Sequence, residues 1–216
     1  MLIHAQNIDY DILTIGNHEL YTGDISYEHF YNFSRQYGEQ YVTSNVQIYN
    51  LNSGAFDYIG RNHRYFTTPK GLRIMAFGVL YNFTGNSNAS KVIPAAEMVN
   101  QTWFQNALHT SEPIDMFLLI GHNPMFGGHS HIRNFAVYDE SATALESGRY
   151  CETLGWLSMS GIKSSNYTGC ANTVGVSNST MPTRNINATS AANASLATNS
   201  SSSSLLYSRR YLDWNR

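Results

Sequence analysis

Three apolar runs in this chain stop at turns built from glycine, histidine and asparagine, and no other feature limits the fold as much. Residues 11–15 lead into Gly16-Asn17-His18-Glu19, residues 114–120 lead into Gly121-His122-Asn123-Pro124, and Met125-Phe126 leads into Gly127-Gly128-His129-Ser130-His131. Short apolar runs of this kind read as buried strands. In parallel sheets, ligands bind beyond the carboxyl ends of the strands. Polar side chains placed there can converge on one spot, and glycine beside each lets the backbone turn sharply and approach closely.

The rest of the chain agrees with that reading. Residues 41–46 and 72–79 read as further strands. A helix is expected to residue 37, capped by Asp24 or Ser26, with Tyr27, Phe30, Tyr31, Ser34 and Tyr37 on one face. A second is expected over residues 95–108, with Pro94 near its first turn and Val99, Trp103 and Ala107 four apart. Strands alternating with helices predict βαβ units and a largely parallel central sheet. Residues 135–138, 144–147 and 153–162 are strand-like with no helix between them, which predicts a second sheet. The fold class is α/β, a layered sandwich with mixed sheets.

Composition changes near Ser164. Residues 177–204 are Ser, Asn, Thr and Ala with almost no large apolar side chains, too few to offset the entropy of ordering. The expected organisation is a partial domain over residues 1–163, a disordered insert over 164–205, and a resumed, truncated domain segment over 206–216.

The formal charge is −2 with no basic block, which argues against a nucleic-acid polymer as partner. No apolar run approaches the roughly 20 residues that span a bilayer. Nine Asn-x-Ser/Thr sequons begin at Asn32, Asn82, Asn88, Asn100, Asn166, Asn178, Asn187, Asn193 and Asn199. Such acceptors point to a secretory route, vacuolar or extracellular, whose targeting signal would lie upstream of Met1. Chance accounts readily for the last four, which lie in Asn- and Ser-rich sequence. Cys151 and Cys170 are either a disulfide pair of an oxidising compartment or two independent small residues.

A lone histidine after a strand is more often structural than functional. His-x-His is stronger, because it places two imidazoles on one side of an extended segment. Four of the eight histidines sit in the three turns, while His4, His29, His63 and His109 read as surface or packing residues. In order and combination, GNHE, GH and GHSH resemble the calcineurin-like metallophosphoesterase superfamily. The segments YDILTIGNHELY, YVTSNV, GLRIMAFGVLYNF, LESGRYCETLGWLS and SRRYLDWNR look most like its 5′-nucleotidase-like branch, in a fungal-type group.

The resemblance implies an incomplete metallophosphoesterase-type sandwich and two divalent ions, zinc, manganese or iron. Asn17, His122 and His129 would ligate one ion and His131 the other. His18, with Asn17, would be catalytic, facing the phosphate of a small substrate. The activity implied is hydrolysis of a phosphomonoester, a nucleotide among the candidates, by attack of metal-bound hydroxide on phosphorus. The alternative is a catalytically inactive fragment or a piece of a secreted glycoprotein.

Several departures bear on that choice. The Asp-x-His and Gly-Asp signatures that would precede GNHE are absent, and with them the aspartate that bridges the metals. Tyr21 stands where related sequences carry an aspartate that pairs with the histidine of GNHE. Only six residues separate His122 from His129, too few for the dozen or more of a parallel crossover. A stretch of a few tens of residues is therefore expected to be missing between Pro124 and Met125. The branch's C-terminal substrate-binding domain would have to follow Arg216. This polypeptide alone is expected to hydrolyse phosphomonoesters at or near background. Asn17, His18, His129 and His131 should still cluster, and His122 is the member that the short link to His129 threatens to displace.

Overall fold

A computed structural model describes residues 9–122, 131–138, 142–147, 153–160 and 206–213. They fall into two compact units, the first over residues 9–122 and the second over the remaining described segments.

In the first unit a 3-10 turn (His18–Leu20) precedes one continuous helical stretch. It runs as α1 (Gly23–Glu28), a π-helical segment (His29–Phe33) and α2 (Ser34–Tyr37). Three strands then form an antiparallel sheet in the order β2-β1-β5: β1 (Val46–Asn50), β2 (Ala55–Tyr58) and β5 (Ser90–Val92). The other sheet has the order β3-β4-β6, with β3 (Arg64–Thr67) antiparallel and β6 (Met116–His122) parallel to the central β4 (Arg73–Leu80). Between β5 and β6 lie α3 (Ala95–Met98) and α4 (Thr102–Leu108).

β4 is apolar almost throughout and buried from Ile74 to Leu80, as a central strand covered on both faces must be. Its side chains alternate between two cores. Met75 and Phe77 meet Ala107, Ile114 and the α4 aromatics Trp103 and Phe104, and Val79 meets Ile93 and Met98. On the other side Leu80 joins Ile15, Leu20, Tyr41, Val46, Ile48 and Ile59. Between Ala76 and Leu80 on that side, Gly78 passes so close to the neighbouring chain that a Cβ would lie 2.0 Å from the Val42 carbonyl oxygen and 2.5 Å from Thr14 Oγ1. Where β4 and β6 begin, the Arg73 guanidinium grips Asp115, with Nε to Oδ2 at 2.8 Å and Nη2 to Oδ1 at 2.6 Å. That clamp helps fix a register in which Leu80 stands opposite His122.

The second unit contains two antiparallel pairs. β7 (Arg133–Val137) pairs with β8 (Thr143–Ser147), and β9 (Thr153–Ser160) pairs with β10 (Leu206–Asp213) over its full length.

The structure corrects several expectations. Residues 11–15 and 41–45 do not form ladders; only Val46 of the second run belongs to one, as the first residue of β1. A single parallel bridge, Leu13 with Tyr41, joins the two runs, and another ties Val42 to Arg61. The cause lies in three polar side chains, Thr43, Ser44 and Asn45, each fully buried. Thr43 Oγ1 accepts from Gly60 N at 2.7 Å, while Ser44 Oγ donates to Asn62 O at 2.6 Å and accepts from Gly78 N at 2.9 Å. Asn45 caps the end of β4, donating to Leu80 O at 2.7 Å and Ile93 O at 2.8 Å and accepting from Leu80 N at 2.9 Å. Side chains have taken over bonds that a strand partner would otherwise make.

The first helix starts after Thr22 with no side-chain cap, and Ser26 Oγ bonds Thr22 O and Glu19 O instead. Its π segment shifts the face by a residue, so Phe33 rather than Ser34 joins Tyr27, Phe30 and Tyr37 on the core. The helix expected over 95–108 breaks at Gln101, which is extended because its Oε1 accepts from Tyr58 Oη and Trp103 Nε1, both at 2.7 Å. Parallel pairing is limited, among the described residues, to β4–β6 and the single bridges. The expected insert, His129, Cys151, Cys170 and the five sequons from Asn166 onward lie outside the described residues. No helix among the described residues is long and apolar enough to cross a membrane.

Candidate active site

The turn after residue 15 is locked from within. Gly16 N donates to Glu19 Oε2 at 3.1 Å and Leu20 N to Asn17 O at 3.1 Å, which winds His18–Leu20 into its 3-10 turn. Leu20 is fully buried, Ile15 is 2% exposed, and Ser87 N holds Leu20 O at 2.8 Å. Two apolar anchors in one core thus suspend the polar residues between them. A Cβ added at Gly16 would press on Glu19 Oε2 at 3.0 Å and make ordinary contact with the His122 ring, 3.7 Å from its Cγ.

His122 ends β6, and its carbonyl receives Tyr81 N at 3.1 Å just past the end of β4. The two turns therefore meet at the carboxyl end of the parallel pair. His122 Nε2 lies 2.8 Å from Asn17 Oδ1. Asn17 is only 2% exposed, and its Nδ2 donates to the Tyr21 hydroxyl. Both ends of a buried amide are thus satisfied by side chains, and the oxygen is the end that faces the imidazole.

His18 is exposed at the mouth of this arrangement, its ring 5.1 Å from that of Tyr21 and tilted by 58°. Tyr21 in turn sets its edge against Phe83 at 5.7 Å. Burial, with the Tyr21 phenol nearby, raises the Tyr81 phenol above its ordinary value.

Of the residues singled out from sequence, Asn17 and His122 meet and His18 stands beside them. Whether the short link displaces His122 from His129 lies outside the described residues. His131 belongs to the second unit, where it is exposed and has a left-handed backbone, φ 58°, just before β7. Among the described residues no group of three or more His, Cys, Asp and Glu side chains comes together. Sequence reading missed the Tyr21 contact to Asn17. The departure at position 21 was the available signal, but it pointed to His18 rather than to Asn17. His29 and His63 are packing residues as expected: His29 Nδ1 lies 3.2 Å from the buried Tyr41 hydroxyl, and His63 stacks on Trp103 with planes 2° apart.

The family model for calcineurin-like phosphoesterases matches residues 2–159. The chain belongs to that family. It is 50% identical to a protein of Arthroderma benhamiae named "Secreted protein", over 97% of this chain and 35% of the relative. It is 40% identical to an uncharacterised protein of Schizosaccharomyces pombe, over 99% of this chain and 38% of that one. Among solved structures it matches the 5′-nucleotidase from Candida albicans with a TM-score of 0.66 and 41% identity, covering 69% of this chain and 32% of that one. The chain thus spans little more than a third of these curated relatives. The two aligned stretches, 236 and 242 positions, are longer than the 216 residues of this chain, so each relative has residues without a counterpart here.

Proposed function

We propose that the chain is the metal-binding part of a phosphoesterase acting on a small phosphomonoester, with a nucleotide as the favoured class. The observation that carries this is the 2.8 Å approach of Asn17 Oδ1 and His122 Nε2 at the carboxyl end of β6. The likeness to a 5′-nucleotidase supports the nucleotide.

The donor pair fits one divalent ion. Two donor atoms so close can both reach a single zinc at bond lengths of about 2.0–2.1 Å. An amide oxygen with an imidazole suits borderline ions such as zinc, manganese or iron. His129 is proposed as a third ligand of this ion and His131 as a ligand of a second. When bound, such ions polarise a phosphoryl oxygen and make water nucleophilic at neutral pH. The chain's own part is positional. Ile15 and Leu20 fix the turn, Asn17 and His122 hold donors in place, and exposed His18 presents an imidazole where substrate phosphate would lie. Metal analysis of the purified protein tests the reading. Stoichiometric transition metal, lost in His122→Ala, is expected, and unchanged metal content in that variant would contradict it.

A second reading concerns this polypeptide as it stands, for which hydrolysis at or near background is proposed. The six-residue link between His122 and His129, and alignments longer than the chain, support it. Robust metal-dependent turnover of a phosphomonoester by the 216-residue protein, abolished in His18→Ala, would refute it.

A secretory, glycosylated life is also proposed. The four sequon asparagines among the described residues, Asn32, Asn82, Asn88 and Asn100, are all exposed, whereas Asn17 and Asn45, outside sequons, are buried. One relative is named a secreted protein. A mobility shift on enzymatic deglycosylation of protein made in a secretory host is expected. Unmodified asparagine at all four positions by mass spectrometry would count against it.

A further inference from the structure

We propose that Tyr21 is a positioning residue for the metal pair, an inference that rests on the reading of Asn17 and His122 as ligands of one ion. Its hydroxyl holds the Asn17 amide with Oδ1 turned toward His122.

A primary amide has two ends of nearly equal size and opposite hydrogen-bonding character. Only the oxygen can bind a metal. If the amide turned over, its NH₂ would face His122 and the site would lose a ligand without any change in shape. Asn17 is 2% exposed, so little water is at hand to take up its NH₂. The productive orientation is favoured by a hydroxyl on the far side of the amide from His122 that serves as acceptor there; because a hydroxyl can also donate, it favours this orientation and does not alone dictate it. The Tyr21 hydroxyl is that acceptor, since Asn17 Nδ2 donates to it while Oδ1 faces His122 Nε2.

Tyr21 is suited to this role and poorly suited to serve as core. It is 43% exposed, so its ring contributes little burial. Its orientation is nevertheless fixed by an edge contact to Phe83, itself 8% exposed and 5.6 Å from the Tyr81 ring, and by the tilted contact to His18. Position 21 follows the 3-10 turn directly, four residues after Asn17, so the turn that presents the ligand also presents its orienting group. A phenol cannot give His18 the charged partner that an aspartate would. Here its hydroxyl serves the ligand, and only its ring meets His18.

Tyr21→Phe keeps the ring and deletes the acceptor, which makes it the informative variant. The test uses the full 216-residue protein, its Tyr21→Phe variant and His122→Ala. Zinc binding is measured by calorimetric titration, and the Asn17 side-chain amide is followed by NMR in the metal-free protein. Tyr21→Phe is expected to keep its melting temperature, to shift the Asn17 NH₂ resonances, and to bind zinc roughly three- to tenfold more weakly, the size of one net hydrogen bond. His122→Ala is expected to lose this zinc site. If His122→Ala loses zinc while Tyr21→Phe binds it like the unaltered protein, the role of Tyr21 is overturned and the metal pair stands. If His122→Ala binds zinc unchanged, both fall. A large fall in melting temperature for Tyr21→Phe would make the residue structural and would also overturn the proposal.

Discussion

Two buried asparagines in the first unit do opposite things. Asn45 is fully buried and spends its amide on the backbone, bonding Leu80 N, Leu80 O and Ile93 O. Asn17 is 2% exposed, and among the described residues its side-chain amide bonds only side chains, the Tyr21 hydroxyl and His122 Nε2. The first substitutes for a strand partner and fixes where β4 ends. The side-chain amide of the second closes no backbone bond among the described residues, and its oxygen meets a histidine at the end of β6. Equal burial thus hides unequal purpose, and the identity of the bonded partners tells them apart. Backbone partners mark scaffold. Side-chain partners that are themselves polar and near the surface mark a site.

The largest effect should come from Asn45→Ala. It leaves three buried backbone groups without their partner, at about 1–3 kcal/mol each, so a loss of about 3 kcal/mol or more is expected by denaturant unfolding. A loss under about 1 kcal/mol would show that the polar knot is not what holds residues 41–46 to β4. Gly78→Ala should come next. Its Cβ would press on the Val42 carbonyl and Thr14 Oγ1, and overpacking of this kind costs about 1–3 kcal/mol. Asn17→Ala should cost only about 1 kcal/mol, since it strands no backbone group, yet it should abolish zinc binding by titration. If Asn17→Ala destabilises as much as Asn45→Ala, the distinction between the two asparagines fails.

A smaller effect comes from the scaffold histidines. Burial holds His29 below its ordinary value of 6.5, against the opposing pull of Glu19 and Glu28, and burial alone does the same for His63. The unfolded chain therefore takes up these protons before the folded one does. Above pH 6.5 both states are neutral at these residues and they add no pH dependence. As pH falls from 6.5 through the folded values, stability is lost. The melting temperature should be flat between about pH 7 and 8 and drop by a few degrees below 6.5. His63→Gln should reduce that drop, and an unchanged pH profile would show that His63 is not its source.

What the sequence disclosed follows from the same contrast. β4 and β6 were legible because long apolar runs have few other uses in a chain of this size. β2, β3 and β5 were not, since Ala55–Tyr58, Arg64–Thr67 and Ser90–Val92 are short, half polar and mostly on sheet edges. Residues 41–46 looked like a strand because Tyr41, Val42 and Val46 are buried, as strand residues would be, while Thr43, Ser44 and Asn45 gave no sign that they bond backbone. The meeting of Asn17 and His122 was legible because the ordered turns GNHE, GH and GHSH each follow an apolar run, which sets their side chains at strand ends. Tyr21 was not, because nothing in the sequence says that an exposed aromatic turns its hydroxyl back toward a buried amide.

Everything proposed for the site rests on Asn17 and His122 holding one metal ion. Anomalous diffraction from crystals soaked in zinc tests it most directly. A zinc peak is expected at about 2.0–2.1 Å from both Asn17 Oδ1 and His122 Nε2. A zinc peak elsewhere, with the Asn17–His122 hydrogen bond intact at 2.8 Å, would contradict it.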